Sequence, residues 1–537
     1  MCLRHNVINE FRERDNPNGM HMYDYVVVGA GSAGCVLAAR LTEDRNVSVA
    51  LIEAGQEDTA SEIHVPTAFP TLFKSSWDWD FDSDCEPGLG GRRVYLPRGR
   101  MLGGSSSMNA MVYIRGNAND YDEWAAAGAS GWSYQDVLPY FIRSEDNERG
   151  GDEYHGVGGP QHVADGRAMS RAVDVFLESA GQAGYATNSD FNGASQLGVG
   201  RYQLTQHNGM RWSTADGYLR PALARPNLTV MTNALAHRVV FQNERAIGVE
   251  ISSGRQLSLV RAECEVVLSA GSYGSPHLLL LSGVGPIADL SPFDIPSVAD
   301  LPVGQGLQDH MLCAINYFTD EESLITAASP ANTAALQELG QGPLTSNIDE
   351  AGGFLQTRTG LSGPDIQLHS APVIFFDEGF GAPPAHGTAI AVSTVSPESR
   401  GQVRLRSAHP DAAPRIQHNY LQAEGDCQSM VAGLRAAMEI AHQAPMRTII
   451  TGNFDVPASD TDADLLSYAR QKAHTQYHPT STCAIGSVVD PALQVLGLDG
   501  LRVVDASVMP TVVRGNTNAP AIMIAEKAAD LIKADQT

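Results

Sequence analysis

At 537 residues, with 43% hydrophobic and 18% charged side chains, the chain exceeds what one simple core needs, and two domains are the expectation. Its 61 acidic against 36 basic residues give a formal charge of −25, a field that repels phosphate backbones and argues against nucleic acid as a partner. Seven cysteines, odd in number, scattered and free of any CxxC pair, argue against a disulfide framework or a zinc knuckle and fit a reducing compartment. Residues 1–22 form a polar leader without an apolar signal core. No apolar run is long enough to span a bilayer, so the expected location is cytoplasmic, with contact at the inner face of the membrane at most peripheral.

The first element is the β-branched run Tyr25 to Val28, which reads as a buried parallel strand. Gly29, Gly31 and Gly34 follow as GxGxxG, with Ser32 and Ala33 opening a helix that runs to Leu41. In this motif the first glycine makes the turn, the second admits a pyrophosphate, and the third lets helix and strand pack closely. A second strand, Val47 to Ile52, ends in Glu53 and Ala54, which places an acid to accept from an adenosine ribose. Together these elements predict a dinucleotide site for FAD or NAD, and the acid argues against NADP.

Further on, the alternation Trp77-Asp78-Trp79-Asp80-Phe81 suggests an edge strand or lid. The stretch Pro97 to Gly116, with Arg100, Gly103, Gly104 and Ser105 before a helix-like run, offers a second cradle of N–H and hydroxyl groups. Between 311 and 470 strand-like pieces, Pro364 to Phe376 and Gln402 to Ser407, are separated by proline and glycine clusters.

The Pro97–Gly116 stretch resembles the first signature of the glucose–methanol–choline (GMC) family of FAD-dependent alcohol oxidoreductases. Gly271 to Gly285 (GSYGSPHLLLLSGVG) agrees with its second signature, and Asp300 to His310, Tyr477 to Gly486 and Gly500 to Ile532 extend the match. Within the family the chain is most similar to the choline dehydrogenase-like and alkanol dehydrogenase-like branch. The resemblance implies an α/β fold, α+β overall. A Rossmann-like FAD-binding domain of the PHBH/GMC type is expected from residues 23–155, 200–310 and 470–537. It is interwoven with an antiparallel-sheet substrate domain from 156–199 and 311–469.

The resemblance also implies site roles. His478, in Tyr477-His478-Pro479, matches the family's catalytic base, although the local string has Ser481 and Ile485 where HPxGTxxMG is usual. Asn516 falls at the partner position that holds the substrate oxygen, with Thr517 beside it. Flavin contacts are expected from Asn109, Ala110, Met111 and Val112, from Ala270 and Gly271, and from Asp505 and Ala506. Val239 is expected at the adenine end. Some relatives bond a histidine to the flavin where this chain has Met108, so non-covalent FAD is expected. Glu350 aligns with a glutamate that meets the ammonium group in choline-oxidising relatives, and Phe375 and Phe376 are candidate pocket walls.

The implied reaction takes a primary alcohol to its aldehyde, with the electrons passed to a quinone, an artificial acceptor or oxygen. The alternative in this fold is non-redox use of the flavin, as in hydroxynitrile lyases or fatty-acid photodecarboxylases. Two other readings are weaker. His474 and His478 have the spacing of a zinc-binding helix but Thr475 stands where its glutamate belongs. Ser272, in Gly271-Ser272-Tyr273-Gly274, is a loose version of a hydrolase nucleophile elbow.

Overall fold

Two seven-stranded sheets organise the described residues, 22–535, of this computed structural model. Residues 1–21 of the expected leader lie outside the described residues, and Met22 opens the first strand. That strand, Met22–Val28, has its last four residues fully enclosed, as a continuous apolar run is when helices cover both faces of a parallel sheet. Val49–Ile52 and Gln256–Leu268 flank it in parallel, and Leu228–Met231 lies beyond Val49–Ile52. Gln256–Leu268 serves twice. Its first half joins Arg245–Ser253 and Ala234–Gln242 in an antiparallel meander, while its second half pairs in parallel with Met22–Val28 and Leu501–Val503.

Helices Ser32–Leu41 and Asn518–Ala534 pack on one another. Glu526 is buried at their contact without being an isolated charge. It pairs with Arg40 at 2.8 Å and Arg143 at 2.7 Å, and accepts the Tyr218 hydroxyl at 2.8 Å.

The second sheet is antiparallel, ordered Ile450–Asp455, Met311–Thr319, Gly387–Thr394, Ile366–Ala371, Ala351–Leu355, Gly198–Arg201. Strand alternation gives it two faces. Cys313, Ile315, Leu368, Ile390 and Val392 face the core under helices Arg171–Gln182 and Glu424–Ala441. Leu312, His369, Ala371, Ala389 and Ala391 point the other way and line a cavity.

Several expectations need correction. A boundary at 199/200 would cut the strand Gly198–Arg201, which pairs with Ala351–Leu355. The segment after 470 also gives His474–Thr475 to the second sheet. Of Trp77–Phe81 only Phe81 joins a strand, Phe81–Asp82, and Trp79 stacks on that ring at 5.7 Å. Gly401–Arg404 belongs to a separate three-stranded sheet with Gln305–Leu307 and Arg415–Gln417. Among the described residues six cysteines are free, and no helix is long and apolar enough to cross a membrane.

Candidate active site

A cavity of about 610 Å³ lies where the two sheets meet, within the usual size of a ligand site. On the first-sheet side three helices begin at its wall: Ser32–Leu41, Gly271–Leu281 and Asn518–Ala534. Ser32–Leu41 and Asn518–Ala534 have no side-chain cap, so their first-turn N–H groups stay available for an anion, whereas the first N–H of Gly271–Leu281 is taken by Asp505. Below the glycine turn Glu53 accepts the N–H groups of Ala30 at 2.9 Å and Gly55 at 2.8 Å. Burial pushes its pKa up to about 7 against those two bonds. Each carboxylate oxygen keeps a further lone pair, as a ribose hydroxyl requires. The uncapped helix starts and this acid fit a dinucleotide.

Of the expected contacts, Gly29, Gly31, Ser32, Ala33, Glu53, Ala54, Arg100, Gly104, Ser105, Asn109, Ala110, Met111, Val112, Ala270, Gly271, Asp505, Ala506, Asn516 and Thr517 all line the cavity. Asp505 acts chiefly on its own chain. Its carboxylate accepts from Gly271 N–H (2.9 Å), Ser275 hydroxyl (2.5 Å) and Ser507 N–H (2.8 Å), fixing the start of Gly271–Leu281.

His478 sits in a strained loop. Its neighbours Tyr477 and Ser481 have φ of 70° and 75°, a conformation costing on the order of 1–3 kcal/mol per residue. Asp309 holds the loop, accepting His478 N–H at 2.8 Å and the Thr475 hydroxyl at 2.6 Å. The ring faces His310, Nδ1 to Nδ1, at 3.0 Å, and its Nε2 lies 3.3 Å from Asn516 Nδ2. The orientation of Asn516 follows from its other end, because Oδ1 accepts Gln367 Nε2–H at 3.1 Å. The amide nitrogen therefore points at His478, whose Nε2 accepts, leaving the imidazole proton on Nδ1 for His310. Burial, with His310, Arg98 and His369 nearby, holds the His478 pKa well below the ordinary imidazole value, so the ring is neutral.

Five expected residues are placed elsewhere. Gly34 packs the helix on the turn, and Gly103 donates its N–H to Ala30 O at 2.8 Å; neither lines the cavity. Val239 N–H donates to Ser282 Oγ at 2.8 Å, and the residues of its strand that reach the cavity are Ala234, Leu235 and Ala236. Glu350 is turned away, its carboxylate accepting the hydroxyls of Ser346 (2.7 Å) and Ser170 (2.8 Å). Phe376 packs on Phe454, while Phe375 lines the cavity beside His474. Ser272 donates its hydroxyl to Pro479 O at 2.7 Å, which is no geometry for a nucleophile.

Sequence reasoning missed Asp309, His310 and Gln367, which orient the pair. The string Gln308-Asp309-His310 was a signal for two of them. It also missed Arg211, which donates to Asn109 Oδ1 at 2.8 Å from full burial, where desolvation lowers its pKa to about 9.

Family models described as GMC oxidoreductase match residues 23–312 and 397–525. Mitochondrial choline dehydrogenase of Mus musculus is 43% identical over 542 residues, covering 96% of this chain and 90% of that protein. Pyridoxine 4-oxidase of Mesorbium loti superposes with a TM-score of 0.87 at 31% identity, over 95% of this chain and 98% of that one. A lysine-for-arginine variant of formate oxidase from Aspergillus oryzae, studied for FAD modification, superposes with a TM-score of 0.90 at 26% identity, over 96% and 99% of the two chains.

Proposed function

The chain belongs to the GMC oxidoreductase family, and from that premise we propose that it oxidises a primary alcohol to the aldehyde with His478 as base. FAD is the cofactor, and when bound it supplies the acceptor for the α-hydride of the alcohol. The observation that carries the reading is the pairing of neutral His478 Nε2 with Asn516 Nδ2, 3.3 Å apart in the cavity wall. A hydroxyl inserted between them donates to the imidazole and accepts from the amide. His478 then takes the hydroxyl proton while Asn516 steadies the oxygen on which charge develops. As the proton arrives on Nε2, the Nδ1–H bond to His310 stabilises the cation, and Asp309 keeps the loop in place. The electrons then leave to a quinone or to oxygen.

Anaerobic mixing with primary alcohols tests the reading. Bleaching of the flavin band is expected, at a rate that shows no fall from imidazole protonation between pH 8 and 6.5. The sign follows from the depressed pKa of His478: the ring stays neutral until well below its ordinary value. An unchanged spectrum across a broad panel would favour non-redox use of the fold.

The FAD is held without a covalent bond, because Met108 precedes Asn109 and offers no nucleophilic nitrogen. Acid precipitation is expected to release the yellow colour to the supernatant. Colour kept in the washed pellet would contradict this.

A further inference from the structure

Asp349 stands in the cavity wall, and no described donor lies within hydrogen-bond distance of its carboxylate. Beside it is His369, 1% exposed, whose Nδ1 lies 3.8 Å from Asp349 Oδ2 and has no hydrogen-bond partner. The proton of His369 can be placed. Gln476 Nε2 donates to His369 Nε2 at 2.6 Å, and the Gln476 amide is itself oriented: Tyr202 gives its hydrogen to Leu368 O and accepts Gln367 Nε2–H at 3.3 Å, which turns Gln367 Oε1 to accept from Gln476 Nε2 at 3.3 Å. His369 Nε2 is therefore an acceptor and Nδ1 carries the hydrogen. The wall thus presents a bare N–H next to a bare carboxylate, slightly too far apart to satisfy each other. His369 is joined through Gln476 and Gln367 to the hydrogen-bond chain that orients Asn516.

The His369 N–H is buried without a partner, and the Asp349 carboxylate, 29% exposed, opens to the cavity. A hydroxyl satisfies both, accepting from His369 and donating to Asp349. An ammonium group has no lone pair for the His369 hydrogen, and an alkyl tail leaves both groups bare. Around the pair the wall is apolar, with Leu312, Ala371, Phe375, Ala389 and Ala391, which suits a carbon chain leading away from the reacting carbinol. We propose that Asp349 and His369 form a subsite for a second hydroxyl, so that the preferred substrates are primary alcohols carrying another hydroxyl group. This rests on the alcohol oxidation proposed above. Burial raises Asp349 to about 7, and a hydroxyl pairs with the carboxyl in either protonation state.

The test measures kcat/KM of the holoenzyme, with an artificial acceptor, for terminal diols of three to six carbons beside the 1-alkanols and amino alcohols of equal length. At least one diol is expected to exceed its alkanol by about tenfold or more. Asp349→Ala should bring that ratio close to one, whereas Asp349→Asn, which still gives and takes a hydrogen bond, should keep part of it. The ratio compares two substrates on one folded holoenzyme, so a general loss of stability cancels. Equal kcat/KM for diols and alkanols in the parent, a ratio unmoved in Asp349→Ala, or preference for the amino alcohol overturns the subsite alone. If no alcohol of the panel bleaches the flavin, the subsite and the proposed activity fall together.

Discussion

His478→Ala is expected to keep its FAD and to lose flavin reduction by about 10² to 10⁴-fold, the usual contribution of a positioned general base and equal to about 3 to 5 kcal/mol of barrier. Cofactor retention follows from where the dinucleotide contacts lie. The glycine turn, Glu53 and the starts of helices Ser32–Leu41, Gly271–Leu281 and Asn518–Ala534 come from elements other than the loop of His478. The loop itself stays anchored, because Asp309 holds it through a backbone N–H and the Thr475 hydroxyl, neither of which the substitution removes. Single-turnover reduction at saturating alcohol, with flavin content measured on the same sample, separates the chemical step from binding. A base role adds a signature that a packing role lacks. The residual rate of the variant should climb with pH as alkoxide forms in solution, and added imidazole should restore part of it. A variant reduced at the parental rate would remove His478 from the reaction.

The turn from Gly29 to Gly34 with Glu53 was legible because every part of it is local: strand, turn, helix, strand and acid stand in order along the chain. The surroundings of His478 were not. Asp309 and His310 reach it because His474–Thr475 pairs with the start of Met311–Thr319, a contact set by sheet order, which periodicity does not encode. Gln367 enters from a third strand of the same sheet. The other misses are offsets of one or a few residues. In the loops around them Asp349 faces the cavity where Glu350 does not, and Phe375 where Phe376 does not. In Ala234–Gln242 the site is met by Ala234, Leu235 and Ala236 at the start of the strand, and Val239 lies three positions further along it. A resemblance aligned by motif strings finds the segment and leaves undetermined which of its residues meets the cavity, because that depends on the packing around the loop.

The glycine turn offers the second large effect, and one in which two neighbouring glycines should fail differently. A Cβ on Gly34 would lie 1.8 Å from Gly29 O and 3.0 Å from Gly29 C. The obstacle is backbone, which has no rotamer to yield, so Gly34→Ala must push the helix Ser32–Leu41 off the turn. The last four residues of the strand beneath, Tyr25 to Val28, are packed at close to zero exposure and have no slack to absorb the shift. Gly31 has φ of −80°, which any residue adopts, and a Cβ there meets only Gly104 Cα at 4.0 Å. Because Gly31 lines the cavity at the uncapped start of that helix, Gly31→Ala places its methyl where a pyrophosphate would approach. Gly34→Ala is therefore expected to lower the thermal unfolding temperature of the FAD-free protein and to abolish FAD retention. Gly31→Ala should leave that unfolding temperature near the parental value and weaken FAD binding by tenfold or more, read by titration of flavin fluorescence. Were Gly31→Ala to bind FAD as tightly as the parent, the phosphates would not lie over this turn. Were Gly34→Ala to match the parent in both measurements, close helix-to-turn packing would not be what the third glycine supplies.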